Sequence, residues 1–356
     1  MKNPFAMPPF FHTPETVAQL GSVLNHPDGH QWLMDHYVTT YFQKTETRSI
    51  VEGFLDASKI WDCPFIKHST VFRSDLLALH IDLIDFFRGL ISQGFYVLLL
   101  INYYHVKDST IYHKINAGHT VMLSGYDEKS KTFLLSDFSG MDNEYGFSQI
   151  SEGELLEAAI FCDPVEFERN DSLYVDQFQK DYFECIQYFK VNHEIRYMFS
   201  KNILIRKLKA YLAGETPTQI TYFPCGFEAE NAAWGMQMRY SFLEYLDRAT
   251  KRHYNWGNIR RFIFFLGTIR QLTELRIDYL NKNYVLKDGE YLKKRNKDLW
   301  NTQDILLKIV IKNGFRNYRI NYKNVVDFYK LVERYFDEEK ILLEDFISSL
   351  ENKEQA

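Results

Sequence analysis

The sequence predicts an α+β fold, with a domain of helices followed by a mostly antiparallel sheet over residues 1–165 and a mostly helical region over 166–356. Three observations carry this. Strand-like apolar runs cluster in the first half, at Phe95–Asn102, Thr120–Tyr126 and Thr132–Asp137. Helical apolar spacing dominates from Glu194 onward. Charge also divides along the chain: residues 1–200 hold 15 Lys and Arg against 27 Asp and Glu, residues 201–334 hold 25 against 13, and residues 335–356 hold 2 against 7.

In chain order, Glu15–Leu24 and His30–Phe42 read as helices around a turn at residues 25–29, where Asp28 or Gly29 caps the second. Ser49–Phe54 and Phe65–Phe72 read as strands flanking a turn at Trp61-Asp62-Cys63-Pro64. From Ser74 the spacing of Leu76, Leu79, Leu83, Ile84, Phe87, Leu90 and Ile91 predicts one long helix, stopped by Gly94. Phe95–Asn102 is continuous enough to be a buried strand. The polar turn Asp127–Lys131 joins Thr120–Tyr126 to Thr132–Asp137 as a hairpin. Tyr145–Ile150 adds a strand, and Ser151-x-x-Glu154 is a capping box for a helix running to Phe161. Glu166–Asp181 is a polar linker. Beyond it come helices at Tyr197–Leu212, Trp234–Thr250, Asn258–Asn281, Glu290–Asn313, Asn321–Phe336 and Glu338–Leu350, with short strands at Ile186–Val191 and Gln219–Phe223.

Composition narrows the functional classes. At 356 residues and 46% hydrophobic, the chain has length for a sizeable core. No apolar run approaches the ~20 residues that cross a bilayer, and the first residues lack a signal-peptide core, so no membrane partner and a cytoplasmic location are expected. Cys63, Cys162, Cys185 and Cys225 form no Cys-x-x-Cys pair. No phosphate-binding glycine loop is present. His105, His113 and His119 with Asp108, and the pair His26 and His30, match no metal-ligand spacing, so no metal and no tightly bound cofactor are expected. Cations and aromatics interleave at Lys251–Phe262, and Lys293-Lys294-Arg295-x-Lys297 is basic. Solvated helix faces and a snorkelling junction account for both without nucleic acid. The basic stretch implies an acidic counterpart, either a partner or the chain's own acidic residues.

One constellation carries chemistry. Gly118-His119-Thr120-Val121-Met122-Leu123-Ser124-Gly125-Tyr126-Asp127 begins with a histidine, and Phe133-Leu134-Leu135-Ser136-Asp137 ends with an aspartate, so the hairpin returns Asp137 to the neighbourhood of His119. A carboxylate beside one imidazole nitrogen fixes the tautomer and leaves the other nitrogen as a base. The alternative is a partly buried histidine at a sheet edge with a strand-end turn carboxylate.

That block, with Ile150-Ser151-x-x-Glu154-Leu155 after it and Gly226-Phe227-Glu228-Ala229 later, resembles the papain-like domains related to bacteriocin-leader peptidases. It is most similar to the family named for the N-terminal domain of the butirosin biosynthesis protein H. The resemblance implies a papain-like domain over 1–165, an accessory helical domain over 166–356, and cysteine acyl transfer. A thiolate attacks a thioester or peptide carbonyl, His119 moves the proton, Asp137 orients His119, and an amine or water resolves the acyl-enzyme. In the butirosin-type branch the acyl donor is held on the phosphopantetheine of a carrier protein and the acceptor is a small-molecule amine. Carrier proteins are acidic, which suits the basic stretch.

The sequence departs from the family pattern at the nucleophile. Family members carry it at the start of an N-terminal helix, where the dipole and the imidazole lower the thiol pKa. Here no cysteine precedes Cys63, and the helix expected in that slot begins Asp28-Gly29-His30-Gln31-Trp32-Leu33. Cys63 is therefore the candidate nucleophile by order. Two other readings stand beside it: direct attack of an amine deprotonated by His119, and a catalytically degenerate protein that binds a carrier protein or synthetase.

Overall fold

The computed structural model describes residues 2–9, 14–44, 50–54, 63–137, 145–160, 184–217, 232–250, 256–284, 286, 288–314 and 322–351. In chain order the elements are α1 (Pro14–Val23), α2 (Gly29–Asp35), β1 (Thr40–Lys44), β2 (Ile50–Phe54), β3 (Ile66–Phe72), α3 (Arg73–Ala78), α4 (Leu83–Ser92), β4 (Tyr96–Asn102), β5 (Gly118–Asp127), β6 (Thr132–Asp137), β7 (Gly146–Ser151), α5 (Glu152–Ile160), β8 (Cys185–Val191), α6 (Lys201–Ala213), β9 (Ala233–Trp234), α7 (Met238–Thr250), α8 (Trp256–Tyr284), α9 (Gly289–Gly314) and α10 (Tyr322–Glu351). The fold is α+β. By contacts it divides into one unit of Met1–His30, Ser58–Tyr197 and Tyr222–Gly226, and a second of Gln31–Ala57, Met198–Thr221 and Phe227–Ala356. These units interleave along the chain, whereas the sequence reading set a single boundary at residue 165.

The first unit is built on a six-stranded antiparallel sheet in the order β3-β8-β4-β5-β6-β7. The strand at Ile186–Val191, which the sequence reading placed past the boundary, is β8, inserted between β3 and β4. Alternation sorts the side chains onto two faces. Val97, Leu99, Ile101, Val121, Leu123, Phe133 and Leu135 form one core with Phe87 and Leu90 of α4 and Leu155 and Ala158 of α5. Met122 faces the other way, where Ser22 of α1 reaches its sulfur at 3.9 Å. Both faces are covered, which is why all seven residues of β4 are buried and why its sequence is almost continuously apolar. The capping box holds: Ser151 Oγ donates to Glu154 Oε2 at 2.8 Å, and Glu154 N–H donates back to Ser151 Oγ at 3.3 Å.

The second unit carries a three-stranded antiparallel sheet, β2-β1-β9, and helices α6 to α10. Phe42 of β1 packs edge-on to Phe262 and Phe242, with ring centroids 5.0 and 6.0 Å away. Arg276 of α8 donates to the carbonyls of Met34 (3.0 Å), His36 (2.5 Å) and Tyr37 (3.0 Å), satisfying the oxygens left open where α2 ends.

Three expected elements differ. The helix from Ser74 is two helices: Asp82 caps α4 by accepting from Asp85 N–H at 2.9 Å, and His80 turns the chain between them at φ +55°. The helix His30–Phe42 ends at Asp35, because Tyr37 takes φ +56° and Thr39-Thr40-Tyr41-Phe42 leads into β1. The two helices expected over 321–350 are one, α10, since Asp337-Glu338-Glu339 contains no breaker. The strand expected at Gln219–Phe223, the linker at Glu166–Asp181, and Cys162, Cys225 and Gly226–Ala229 lie outside the described residues.

Candidate functional site

His119 is the second residue of β5, paired with Ile101 near the end of β4. Asp137 closes β6, the next strand. Both alternate onto the face shared with Val121, Leu123, Phe133 and Leu135. The hairpin therefore brings the two together as expected, with His119 Nδ1 3.9 Å from Asp137 Oδ2. Asp137 is fully buried, while the His119 side chain keeps 33% of its surface exposed. Nδ1 also lies 3.2 Å from the Thr120 carbonyl. Two oxygens on that side favour the tautomer with its hydrogen on Nδ1, in which Nε2 carries the lone pair.

Two residues that sequence reasoning missed hold this arrangement. The Tyr103 ring stacks on His119 at 4.9 Å with an interplanar angle of 23°. Asn102 is fully buried at the end of β4. Its Oδ1 accepts from Tyr104 N–H (3.0 Å) and Ala117 N–H (3.3 Å), and its Nδ2 donates to Asn116 Oδ1 (3.0 Å). Asn102 thus ties both ends of the 103–117 connection beside His119. The only signal for it in the sequence is a polar residue ending an apolar strand.

Cys63 is not brought to this site. It lies just before β3, with its carbonyl accepting from Ile66 N–H at 3.0 Å. Ile66 pairs with Val191, two residues past the Phe189–Tyr96 pair, so Cys63 sits beyond the Tyr96 end of β4, whereas His119 sits at the Asn102 end. At ~3.3 Å per residue this separates them by roughly 20 Å along the strands, before the intervening strands are counted. Cys63 is also buried, and burial pushes its thiol up to about 12, where it holds no useful thiolate at neutral pH. Two helices pack against the His119 strand: α1 on the face opposite His119, and α4 on the face that His119 shares with Val121 and Leu123.

His105 approaches Glu157 at 3.8 Å and His113 stacks on Tyr112 at 3.9 Å. Among the described residues no group of three or more His, Cys, Asp or Glu side chains is arranged to hold a metal. Several cations of the basic stretch meet the chain's own acids, most of these on α10. Arg239 pairs with Asp337, Arg270 with Glu339, Arg295 with Glu338 (2.7 Å) and Asp345 (3.5 Å), and Lys209 with Glu351 (2.5 Å). Lys293 pairs with Asp278, and Arg261 with Glu52 at 2.6 Å. Two clefts in this unit, of about 460 and 480 Å³, have carboxylates as well as cations in their walls: Glu215 and Glu351 in one, Asp298 and Glu338 in the other. No helix among the described residues is long and apolar enough to cross a membrane.

No family model matches the chain, and no curated protein matches it.

Proposed function

We propose that this chain is a biosynthetic acyltransferase, acting in the cytoplasm, in which the His119–Asp137 pair forms an amide from a carrier-bound acyl thioester and a small-molecule amine without an acyl-cysteine intermediate. The observation that supports it is a solvent-reached imidazole backed by a wholly buried carboxylate at 3.9 Å. The neutral amine nitrogen bonds to the thioester carbonyl, Nε2 of His119 takes the proton that this nitrogen loses, and the carbon–sulfur bond breaks as the thiolate leaves. The proton held on His119 returns to that thiolate. Asp137 stabilises the imidazolium between these steps. The phosphopantetheine thioester is already activated, so a base and orientation suffice.

A second reading is favoured by the position of Cys63: a papain-like scaffold that has lost its nucleophile and serves to bind a carrier protein. The test is amide formation from acyl-pantetheine thioesters and a panel of primary amines, followed by mass spectrometry of the product. Under the first reading wild type yields amide, and His119→Ala loses it by ~100-fold or more. Equal rates for wild type, His119→Ala and buffer would leave carrier binding as the function to pursue.

A further inference from the structure

The turn after α1 and the segment after β8 meet in an arrangement that the His119 site does not use. His26 is buried. Its ring stacks on Phe65 at 3.9 Å with planes 14° apart, and His193 lies nearly parallel to it at 5.5 Å and 8°. Nδ1 of His26 accepts the Asp28 backbone N–H at 3.0 Å. An imidazole that accepts at Nδ1 is neutral, with its hydrogen on Nε2. Asp28, also buried, then holds the second segment. Its carboxylate takes Arg196 Nε at 2.7 Å and Nη2 at 3.1 Å, and the Tyr197 N–H at 3.1 Å. Asp28 precedes by two residues the point at which the chain leaves the sheet unit after His30, and Tyr197 is the last residue before it leaves again.

We infer that residues 26–28 and 193–197 form a proton-released latch, in which protonation of His26 at Nδ1 breaks its bond to the Asp28 N–H and loosens the Asp28 grip on Arg196 and Tyr197. The added proton has no acceptor at Nδ1, because the group facing it is itself a donor. The charged and titratable groups around the ring are Asp28, His193 and Arg196. Burial holds the His26 pKa below its ordinary 6.5, and His193 and Arg196 act in the same direction against the opposing pull of Asp28 and the Ile195 carbonyl. Arg196 hydrogen bonding, followed by the Tyr197 N–H, holds the Asp28 carboxyl below the usual range, so the acid side of the latch stays charged while His26 titrates.

The test is an NMR titration of the full chain from pH 8 to pH 5, following the His26 ring together with the Asp28 and Tyr197 backbone amides. The latch predicts that His26 titrates below 6.5 and that both amides shift with that same midpoint. In His26→Phe, which keeps the stack without a titrating nitrogen, the Tyr197 amide should lose that transition. A His26 midpoint at or above 6.5, or amides that stay unchanged through its titration, would overturn the inference. The wild-type titration decides it even where the variant does not fold.

Discussion

Cys63 and His119 lie at opposite ends of the same six-stranded sheet, one before β3 and the other at the start of β5. The thiol and the imidazole are thus separated by the length of a strand, while the hairpin brings His119 beside Asp137. This relationship turns the functional reading from covalent catalysis toward a general base.

The Cys63 thiol should be inert in the folded protein. Burial has pushed it up to about 12, so alkylation by iodoacetamide at pH 8, mapped by peptide mass spectrometry, should leave Cys63 unmodified while the half-buried Cys185 reacts. In urea both should label. Prompt labelling of native Cys63 would contradict its placement.

Asn102 positions the 103–117 connection through three hydrogen bonds at a fully buried site. Asn102→Ala strands the Tyr104 and Ala117 amides and should cost about 1–3 kcal/mol in urea unfolding. If the connection in turn sets the His119 ring through Tyr103, the variant should also lower turnover without changing the pH midpoint of the rate.

Glu52 of β2 is buried against Arg261, and burial raises its carboxyl from 4.5 to about 7 despite that partner. The folded state therefore binds more protons than the unfolded state between those two values, so stability falls as pH rises from 4.5 to 7 and levels off above. The span corresponds to a change on the order of 3 kcal/mol. Urea midpoints measured across that range should slope downward with pH in wild type, and Glu52→Gln should remove that slope. His26 acts in the opposite sense, because its lowered pKa makes folding costlier as pH falls below 6.5, so each variant isolates one contribution.

Arg270 and Glu339 form a wholly buried ion pair, with Tyr211 donating to Glu339 Oε1 at 3.4 Å. Arg270→Met leaves a carboxylate without its counter-charge and should destabilise by about 3–5 kcal/mol. Glu339→Leu added to Arg270→Met should recover much of that loss, since two apolar side chains of similar volume need no solvation. A double variant no more stable than the single would contradict this account of the pair.

Much of this architecture is legible in the sequence where one physical signal dominates. The β4 run Tyr96–Asn102 announces a doubly covered strand, Ser151 and Glu154 announce a cap, and the turn at Asp127–Lys131 fixes the hairpin that joins His119 to Asp137. Legibility fails where long-range pairing decides. Nothing local in Cys185–Val191 says that it inserts between β3 and β4, and that insertion is what moves the boundary past residue 165. Order along the chain made Cys63 the candidate nucleophile, but register decides position, and register is set by partners distant in sequence. The break between α3 and α4 was readable, since Asp82 stands three residues before Asp85 at the head of a fresh apolar repeat. Tyr103 and Asn102 were not, because stacking and loop closure leave no periodic trace.

The central claim is that His119 promotes acyl transfer without an acyl-enzyme, and the intact-protein mass spectrum recorded during turnover with an acyl-pantetheine thioester and an amine tests it most directly. The account predicts that amide accumulates in wild type and Cys63→Ala alike, is lost in His119→Ala, and that the protein mass stays unchanged throughout. An added acyl mass on wild type that vanishes in Cys63→Ala would contradict it and would restore Cys63 as the nucleophile.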